Sequence, residues 1–390
     1  MPAPSPPAPV PVLIMARELN LGGVERDAAK IAMRLDRLRF EPHVSTFYAT
    51  GLRYEELRAA GIPILHLPLT SLLSMDALRA AAMMRSYIRQ HRIRIVHSYD
   101  VSGVFGLPVA WFERVPVIIG SQLSYRNLMD KRTQRLLRIS DRFADAVLAN
   151  CKAIGRYLVE EEHLPPGRVE MIYNGVLTDE FYPAVEPRPE PLSRESLTIG
   201  TVCVLRPEKN LAVLQEAFAK VRALKPVMKL VFVGSGPELE SLEANAVRLG
   251  IAADNVFVPA TREVARWMRA MNIFVLPSYS EAFSNSLLEA MACGCAVIGS
   301  KVGGTPELTG SDEERGLLFE SRNAGDLAAK MERLITDERF RLKLGSNAAA
   351  FARENLSIEI AVRRTAEMYD RWLLRKTGTN SVSSEDRHPR

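Results

Sequence analysis

Short apolar runs alternate with stretches of helical periodicity along the chain. Residues 12–16 read as a buried strand, and residues 26–38 repeat their apolar positions at helical spacing. Residues 42–48, 93–97, 115–120 and 146–149 are further strand-like runs. Strands separated by helical lengths predict a parallel sheet with helices on both faces. The rhythm breaks where Pro183, Pro187, Pro189 and Pro191 stand among charged residues. Proline has no backbone N–H to give, so this stretch neither continues a helix nor packs a core, and residues 183–196 are expected to be a linker.

The rhythm then restarts. Strands are expected at 197–205, 229–234, 255–258, 273–277, 296–300 and 316–319, and helices at 211–223, 238–249, 263–271 and 358–374. The expected fold class is α/β, with two Rossmann-like doubly wound domains facing a cleft. Residues 11–182 and 197–357 form the two domains. Residues 1–10 are expected as a disordered proline-rich leader and 376–390 as a disordered tail. Ligands of open α/β sheets bind at the carboxyl ends of the strands, which is where candidate residues are sought.

Composition narrows the class. The chain has 390 residues, 47% hydrophobic and 25% charged, as in a globular protein of two ordinary domains. No run reaches the 18 or so apolar residues of a membrane-spanning helix. Four cysteines and an N-terminus without a basic start suggest a reducing cytoplasm and no disulfide framework. A net charge of +5 is too mild to argue for nucleic acid. The positive charge is nevertheless concentrated. Arg126, Lys131, Arg132, Arg135, Arg138 and Arg142 alternate with Leu128, Leu136, Leu137 and Ile139. Such a segment either rests on an anionic membrane, peripheral to its inner face, or is a solvated helix face.

Candidate chemistry gathers after the strands. Strand 273–277 runs into a loop with Glu281, Phe283, Ser284 and Asn285, then a helix carrying Glu289 that stops at Gly294. Strand, polar loop and helix together aim backbone N–H groups at an anion, so a diphosphate suits the helix start. Glu289 then lies where an acid accepts hydrogen bonds from ribose hydroxyls, and Glu281 lies nearer a sugar. Arg206 and Lys209 follow the first strand of the second half. Two cations there suit a phosphate leaving group, which gains negative charge in the transition state.

Gly22 and Gly23 follow the first strand, and paired glycines let a backbone pass close to a ligand. Gly234 ends a strand in Gly234-Ser-Gly236, more a tight turn than a dinucleotide fingerprint. Val258 closes strand 255–258 on the same edge. His97 ends a strand, where it faces the cleft or serves as a hydrogen-bonded core histidine, the commoner role. Cys293 and Cys295 have no His or Cys pair nearby to make a zinc site, and no Asp-x-Asp pair stands ready for a metal-bound diphosphate.

Together these features resemble glycosyltransferase family 4, the large retaining group with the GT-B fold. The resemblance runs from about Val12 to Leu374. It is carried most specifically by Leu276-Pro-Ser-Tyr-Ser-Glu281, Glu289-Ala-Met-Ala-Cys-Gly294 and Val302-Gly-Gly-Thr-Pro-Glu-Leu308. Gly22-Gly23-Val24-Glu25-Arg26 is similar to the family's glycine loop, and residues 169–181 to its interdomain segment. The resemblance implies transfer from a nucleoside-diphosphate sugar, UDP- or GDP-linked, to a hydroxyl with retention of configuration. It implies no cofactor and no metal.

The first domain would take the acceptor and the second the nucleotide sugar, with helix 358–375 crossing back. Glu289 matches the ribose-binding acid, Glu281 the acid at the donor sugar, and Lys209 the phosphate-contacting lysine. Ser284, Asn285, Ser286 and Leu287 match the loop whose backbone meets the diphosphate. Two departures stand out. Val204 occupies a position where the family usually has arginine, with Arg206 nearby. Ser121-Gln122-Leu123 stands where the family often has histidine, leaving Gln122 as the side chain near the reacting sugar.

A glycan or lipid-linked acceptor is expected, as in polysaccharide, lipopolysaccharide or glycolipid synthesis. A nucleotide-sugar 2-epimerase of the same fold and a catalytically weak nucleotide-sugar-binding subunit are the alternatives.

Overall fold

The computed structural model describes residues 8–20, 22–71, 74–225, 227–310 and 313–378. Most of the expected leader, the tail beyond residue 378 and Leu21 of the glycine loop lie outside the described residues. The chain divides into two units, one of Met1–Gly175 with Glu359–Arg390 and one of Val176–Ile358.

The first unit alternates β1 (Val10–Ala16), α1 (Gly23–Arg34), β2 (Phe40–Thr46), α2 (Leu52–Ala59), β3 (Ile64–His66), α3 (Met75–Gln90) and β4 (Ile95–Tyr99). It continues with α4 (Gly103–Phe112), β5 (Val117–Gln122), α5 (Lys131–Ser140), β6 (Ala146–Ala149), α6 (Lys152–Glu160) and β7 (Val169–Met171). Its seven strands are parallel in the order β3-β2-β1-β4-β5-β6-β7. The order turns back between β1 and β4. The central strands are apolar on both sides, as sheets covered by helices on both faces require: Val12, Leu13 and Ile14 are all fully buried.

The second unit holds β8 (Leu197–Val202), α7 (Leu211–Val221), β9 (Met228–Val233), α8 (Leu239–Arg248), β10 (Asn255–Val258), α9 (Val264–Arg269) and β11 (Ile273–Leu276). It ends with α10 (Asn285–Ala292), β12 (Ala296–Ser300), α11 (Thr305–Thr309), β13 (Leu317–Phe319), α12 (Ala324–Thr336) and α13 (Glu338–Asn355). Six strands run in the order β10-β9-β8-β11-β12-β13, again reversing once. The fold is therefore two doubly wound parallel-sheet α/β domains.

The last helix, α14 (Ile358–Thr377), belongs with the first unit. Its apolar side enters the core built on β1 and β2, where Met368, Tyr369 and Leu373 are fully buried. The Tyr369 ring meets Phe40 edge-on at 5.7 Å, and Trp372 Nε1 donates to Glu170 Oε1 at 2.8 Å. Each such buried side chain is worth roughly 1.5–3 kcal/mol.

The expected linker, 183–196, lies inside the second unit. Arg188 donates to the Ser196 carbonyl and to Asn272 Oδ1, and Arg269 pairs with Glu186 at 3.1 Å. Val176 is tied in by Val176 N donating to Leu356 O and Ile358 N donating to Val176 O. Proline keeps this stretch out of the sheet, but arginine side chains hold it against the domain. Strands β3 and β7 escape the hydrophobic pattern for another reason. Each has three residues, only partly covered at a sheet edge, so neither needs an apolar run.

Candidate functional site

The second unit's strand order reverses between β8 and β11. These strands pair only at Ile199–Ile273 and Gly200–Phe274 and then part, whereas β8 stays paired with β9 through Val202–Val233. Chains leave the two parting strands in opposite directions around the sheet, so a crevice opens at their carboxyl ends.

Lys209 and Glu281 meet at this edge. Lys209 Nζ donates to Glu281 Oε2 at 2.6 Å, and Ser278 Oγ donates to the same oxygen at 3.2 Å. The side chains keep 21% and 13% exposure, so the pair is shielded yet reachable. Burial works against the charge on Lys209, but the Glu281 carboxylate outweighs it and raises the ammonium's pKa above the ordinary lysine value.

The two loops are held in place by backbone chemistry. A helical turn, Pro207–Lys209, ends at Asn210, which takes the left-handed conformation at φ 54°. Asparagine tolerates that conformation better than most residues. Asn210 Nδ2 donates to Pro277 O at 3.2 Å, and Tyr279 N donates to Glu208 O at 3.0 Å. A third loop closes on the second. Gly304 N donates to Ala282 O at 2.7 Å, and Gly303 sits at φ +51° where a Cβ would lie 1.6 Å from Glu281 O. Only glycine fits there.

Helix α10 starts four residues beyond Glu281. Ser284 Oγ caps it by accepting from Leu287 N at 3.2 Å. Asn285 and Ser286 carry the helix's first two N–H groups, which have no acceptor within the helix, at the positive end of its dipole. Phe283 and Leu287 are buried and set the loop against the core. Glu289 lies one turn further on, with 2% of its surface exposed. Arg206 is exposed, and among the described residues its guanidinium makes no ion pair. Val258 is half-buried, its carbonyl accepting from Gly234 N at 2.8 Å.

Several expectations are corrected. His97 is fully buried in the first unit: Nδ1 bonds Tyr369 Oη at 2.7 Å and Nε2 bonds Ser121 Oγ at 2.6 Å, so neither nitrogen is left for substrate. Gln122 is buried too, with Nε2 donating to Ser124 O and Oε1 accepting from Arg126 Nε. Arg126 belongs to no basic surface. It is 1% exposed and held by Asp141 at 2.7 Å and Glu162 at 3.1 Å.

Gly234 passes close to another backbone: a Cβ there would lie 1.9 Å from Cys203 O, and Gly234 N is spent on Val258. Its role is to shape the loop that carries Arg206. Leu287 gives its N–H to the Ser284 cap. Gly22 and Gly23 begin α1, where a Cβ on Gly22 would strike the Glu25 carboxylate, folded back over the helix start.

Sequence reasoning assigned no role to Ser278, Asn210 or Asp100. Ser278 stands within a quoted motif and Asn210 directly follows Lys209, which was the available signal. Asp100 follows β4 at the first unit's own reversal point, at φ 45°, with Oδ1 accepting from Leu123 N at 2.9 Å. Burial pushes its carboxyl up to about 6, against the pull of that hydrogen bond. Burial likewise raises Glu25. Among the described residues no group of three His, Cys, Asp or Glu could hold a metal, and no helix is long and apolar enough to cross a membrane.

Two doubly wound domains, one with a cation, a carboxylate and a helix start at its reversal point, define the GT-B architecture. The structure matches Anabaena HepE, solved in complex with UDP and glucose, at a TM-score of 0.80 and 21% identity, over 92% of this chain and 99% of that one. It matches WaaG, a glycosyltransferase involved in lipopolysaccharide biosynthesis, at 0.72 and 16% identity, over 95% and 100%.

The chain belongs to the family 4 glycosyltransferases: residues 21–180 match the model Glycosyltransferase Family 4 and residues 185–351 the model Glycosyl transferases group 1. A D-inositol 3-phosphate glycosyltransferase of Streptomyces bingchenggensis is 32% identical over 242 residues, 58% of this chain and 52% of that protein. The N,N'-diacetylbacillosaminyl-diphospho-undecaprenol alpha-1,3-N-acetylgalactosaminyltransferase of Campylobacter jejuni is 34% identical over 164 residues, 40% and 41%. The chain thus spans about half the length of the curated relatives it matches.

Proposed function

We propose that this protein transfers a sugar, with retention of configuration and without a metal, from a UDP- or GDP-linked donor to a hydroxyl of a glycan or lipid-linked acceptor. The observation that carries the reading is the Lys209–Glu281 pair at the parting of β8 and β11, beside the start of α10. An ammonium has three N–H donors, and Glu281 takes one, so the others can meet a diphosphate. Arg206 adds an exposed cation from the same loop. The N–H groups at the start of α10 supply a fixed partial charge that costs no reorganisation when the leaving group gains negative charge. Glu281 orients Lys209 and stands beside the donor sugar, and Glu289 receives the ribose.

The relatives support the donor and acceptor classes. One neighbour was solved with UDP and glucose, and the Campylobacter relative's name includes a diphospho-undecaprenol acceptor. The first unit would take the acceptor, at the cytoplasmic face of the membrane.

A thermal-shift panel of UDP, GDP, ADP and their sugars tests the donor claim, because a ligand that binds only the folded state raises the melting temperature by mass action. One nucleotide should stabilise the wild type, and Glu289→Gln should shrink that shift. No shift with any nucleotide would end the reading. Release of nucleoside diphosphate only when a hydroxyl acceptor is added, undiminished by EDTA, would support transfer. Isomerisation of the donor alone would instead indicate the epimerase.

A further inference from the structure

The first unit carries an apolar ridge that none of its described residues covers. Trp111 and Phe112 end α4 with 52% and 68% of their surfaces exposed, their rings 5.2 Å apart. The Trp111 ring meets Phe143 at 5.5 Å. Phe143 lies in the helical turn Asp141–Phe143 that directly continues α5. Positions 135, 139 and 142–143 form one stripe along that continued helix, since they are spaced four and three to four apart. On it Ile139 is 50% exposed, between Arg135 and Arg142, both exposed. The ridge is thus two aromatics and an isoleucine, edged by Arg135, Arg142 and, following α4, the exposed Arg114.

The neighbouring carboxylates are already spent. Glu113 accepts from Arg85 and Arg89. Asp141 pairs with Arg126, and Glu162 with Arg126 and Arg138. Among the described residues Arg114, Arg135 and Arg142 have no acidic partner. Apolar side chains rimmed by unmatched guanidinium groups complement a surface that is anionic outside and hydrocarbon beneath. A nucleic acid would use the arginines and leave Ile139 and Phe112 without a role.

We propose that Trp111, Phe112 and Ile139 insert into the interface of an anionic lipid bilayer, with Arg114, Arg135 and Arg142 on the headgroups. Aromatic rings favour that depth, and each basic residue near an anionic membrane adds attraction that salt screens. This differs from the helix face read in the sequence: Arg126 and Leu137 turn inward, and the aromatics come from α4. It rests on the proposed function only in giving a lipid-linked acceptor a place to be met.

Co-sedimentation of the full chain with vesicles tests it. Wild type should pellet with phosphatidylcholine vesicles containing phosphatidylglycerol, and not with phosphatidylcholine alone or at high salt. Arg135→Ser with Arg142→Ser should weaken binding about thirtyfold, from the usual contribution of two basic residues. Trp111→Ser with Phe112→Ser, both at exposed positions, should weaken it about tenfold or more. Equal pelleting on neutral and anionic vesicles, no pelleting, or variants that bind like wild type would each overturn the proposal. So would heparin or RNA binding that outcompetes vesicles and survives loss of the aromatics. The nucleotide thermal shift, measured on the same preparations, is expected to be unchanged in these variants. Its absence in wild type with vesicle binding intact would remove the transferase reading and leave the docking surface standing.

Discussion

Lys209 and Glu281 are 72 residues apart in the chain and 2.6 Å apart in the fold. Each comes from the loop after one of the two strands that part at the reversal of the sheet. On the proposed reading the pair would present a cation to a diphosphate, with the carboxylate fixing its position. Lys209→Met should lower kcat by about 10²–10³, the cost of removing one fixed group that stabilises developing charge. Because the two act as one unit, adding Glu281→Gln to Lys209→Met should cost little more, and Glu281→Gln alone should cost nearly as much. Steady-state kinetics of the two single variants and the double variant measure this. Fully additive losses would show that the ion pair is incidental.

Ser278 supports the same carboxylate. It is fully buried, and its hydroxyl donates to Glu281 Oε2. A hydrogen bond to a charged group is worth about 1.5–3 kcal/mol. Ser278→Ala should therefore cut kcat/KM by about tenfold or more while leaving nucleotide affinity near that of wild type. Titration of the nucleotide beside the rate assay separates the two. A loss of affinity with turnover intact would contradict a role in placing Glu281.

Gly303→Ala meets two penalties. The left-handed conformation costs a side chain about 1–2 kcal/mol. The added Cβ also falls on the Glu281 carbonyl, so the loop that carries Glu281 must shift. The expected outcome is a lower melting temperature together with loss of turnover. Wild-type activity in this variant would mean that the approach of these loops has no bearing on catalysis.

His97 should give the protein a pH signature. Burial lowers its pKa to about 3, whereas an unfolded histidine titrates near 6.5. Above that unfolded value the ring is neutral in both states, and its contribution is fully present. As pH falls below about 6.5 the unfolded chain takes up a proton that the folded core refuses. Stability is then lost at about 1.4 kcal/mol per pH unit, down towards the folded pKa. Proton NMR should show a His97 ring that does not titrate between about pH 8 and about pH 5. A midpoint near 6 would place the ring in solvent.

Arg126→Met should be severely destabilising. It leaves Asp141 without its buried partner, while Glu162 keeps Arg138 and Tyr157, and breaking a buried ion pair from one side costs about 3–5 kcal/mol. Denaturant titration measures the loss. Adding Asp141→Asn should recover part of it, since a neutral group is cheaper to leave unpaired. A variant as stable as wild type would mean the cluster is solvated.

The sheets and the loops at their carboxyl ends were legible in the sequence because both follow from short-range rules. Strands buried on both faces must be continuous apolar runs, and residues 12–16, 146–149 and 273–277 are such runs. Strand, polar loop and helix placed Glu281 and Ser284 without reference to anything distant. What failed were assignments that depended on partners. His97 ends a strand as a ligand-facing residue would, but Tyr369, from a helix 272 positions later, takes its Nδ1. The proline-rich stretch reads as a linker until Arg188 and Arg269 are seen to bind it down.

By itself the sequence determined the periodicities, and so the two parallel sheets, their covered faces and the polar loops that end their strands. Only the tertiary structure decided which loops meet. Strand order and register bring Lys209 to Glu281, and Gln122, Asp141 and Glu162 hold Arg126 inward while Arg135 and Arg142 stay out. Periodicity records which side of an element is dry, a local property. Whether a charge is neutralised depends on side chains that arrive from elsewhere, through contacts that no local pattern encodes.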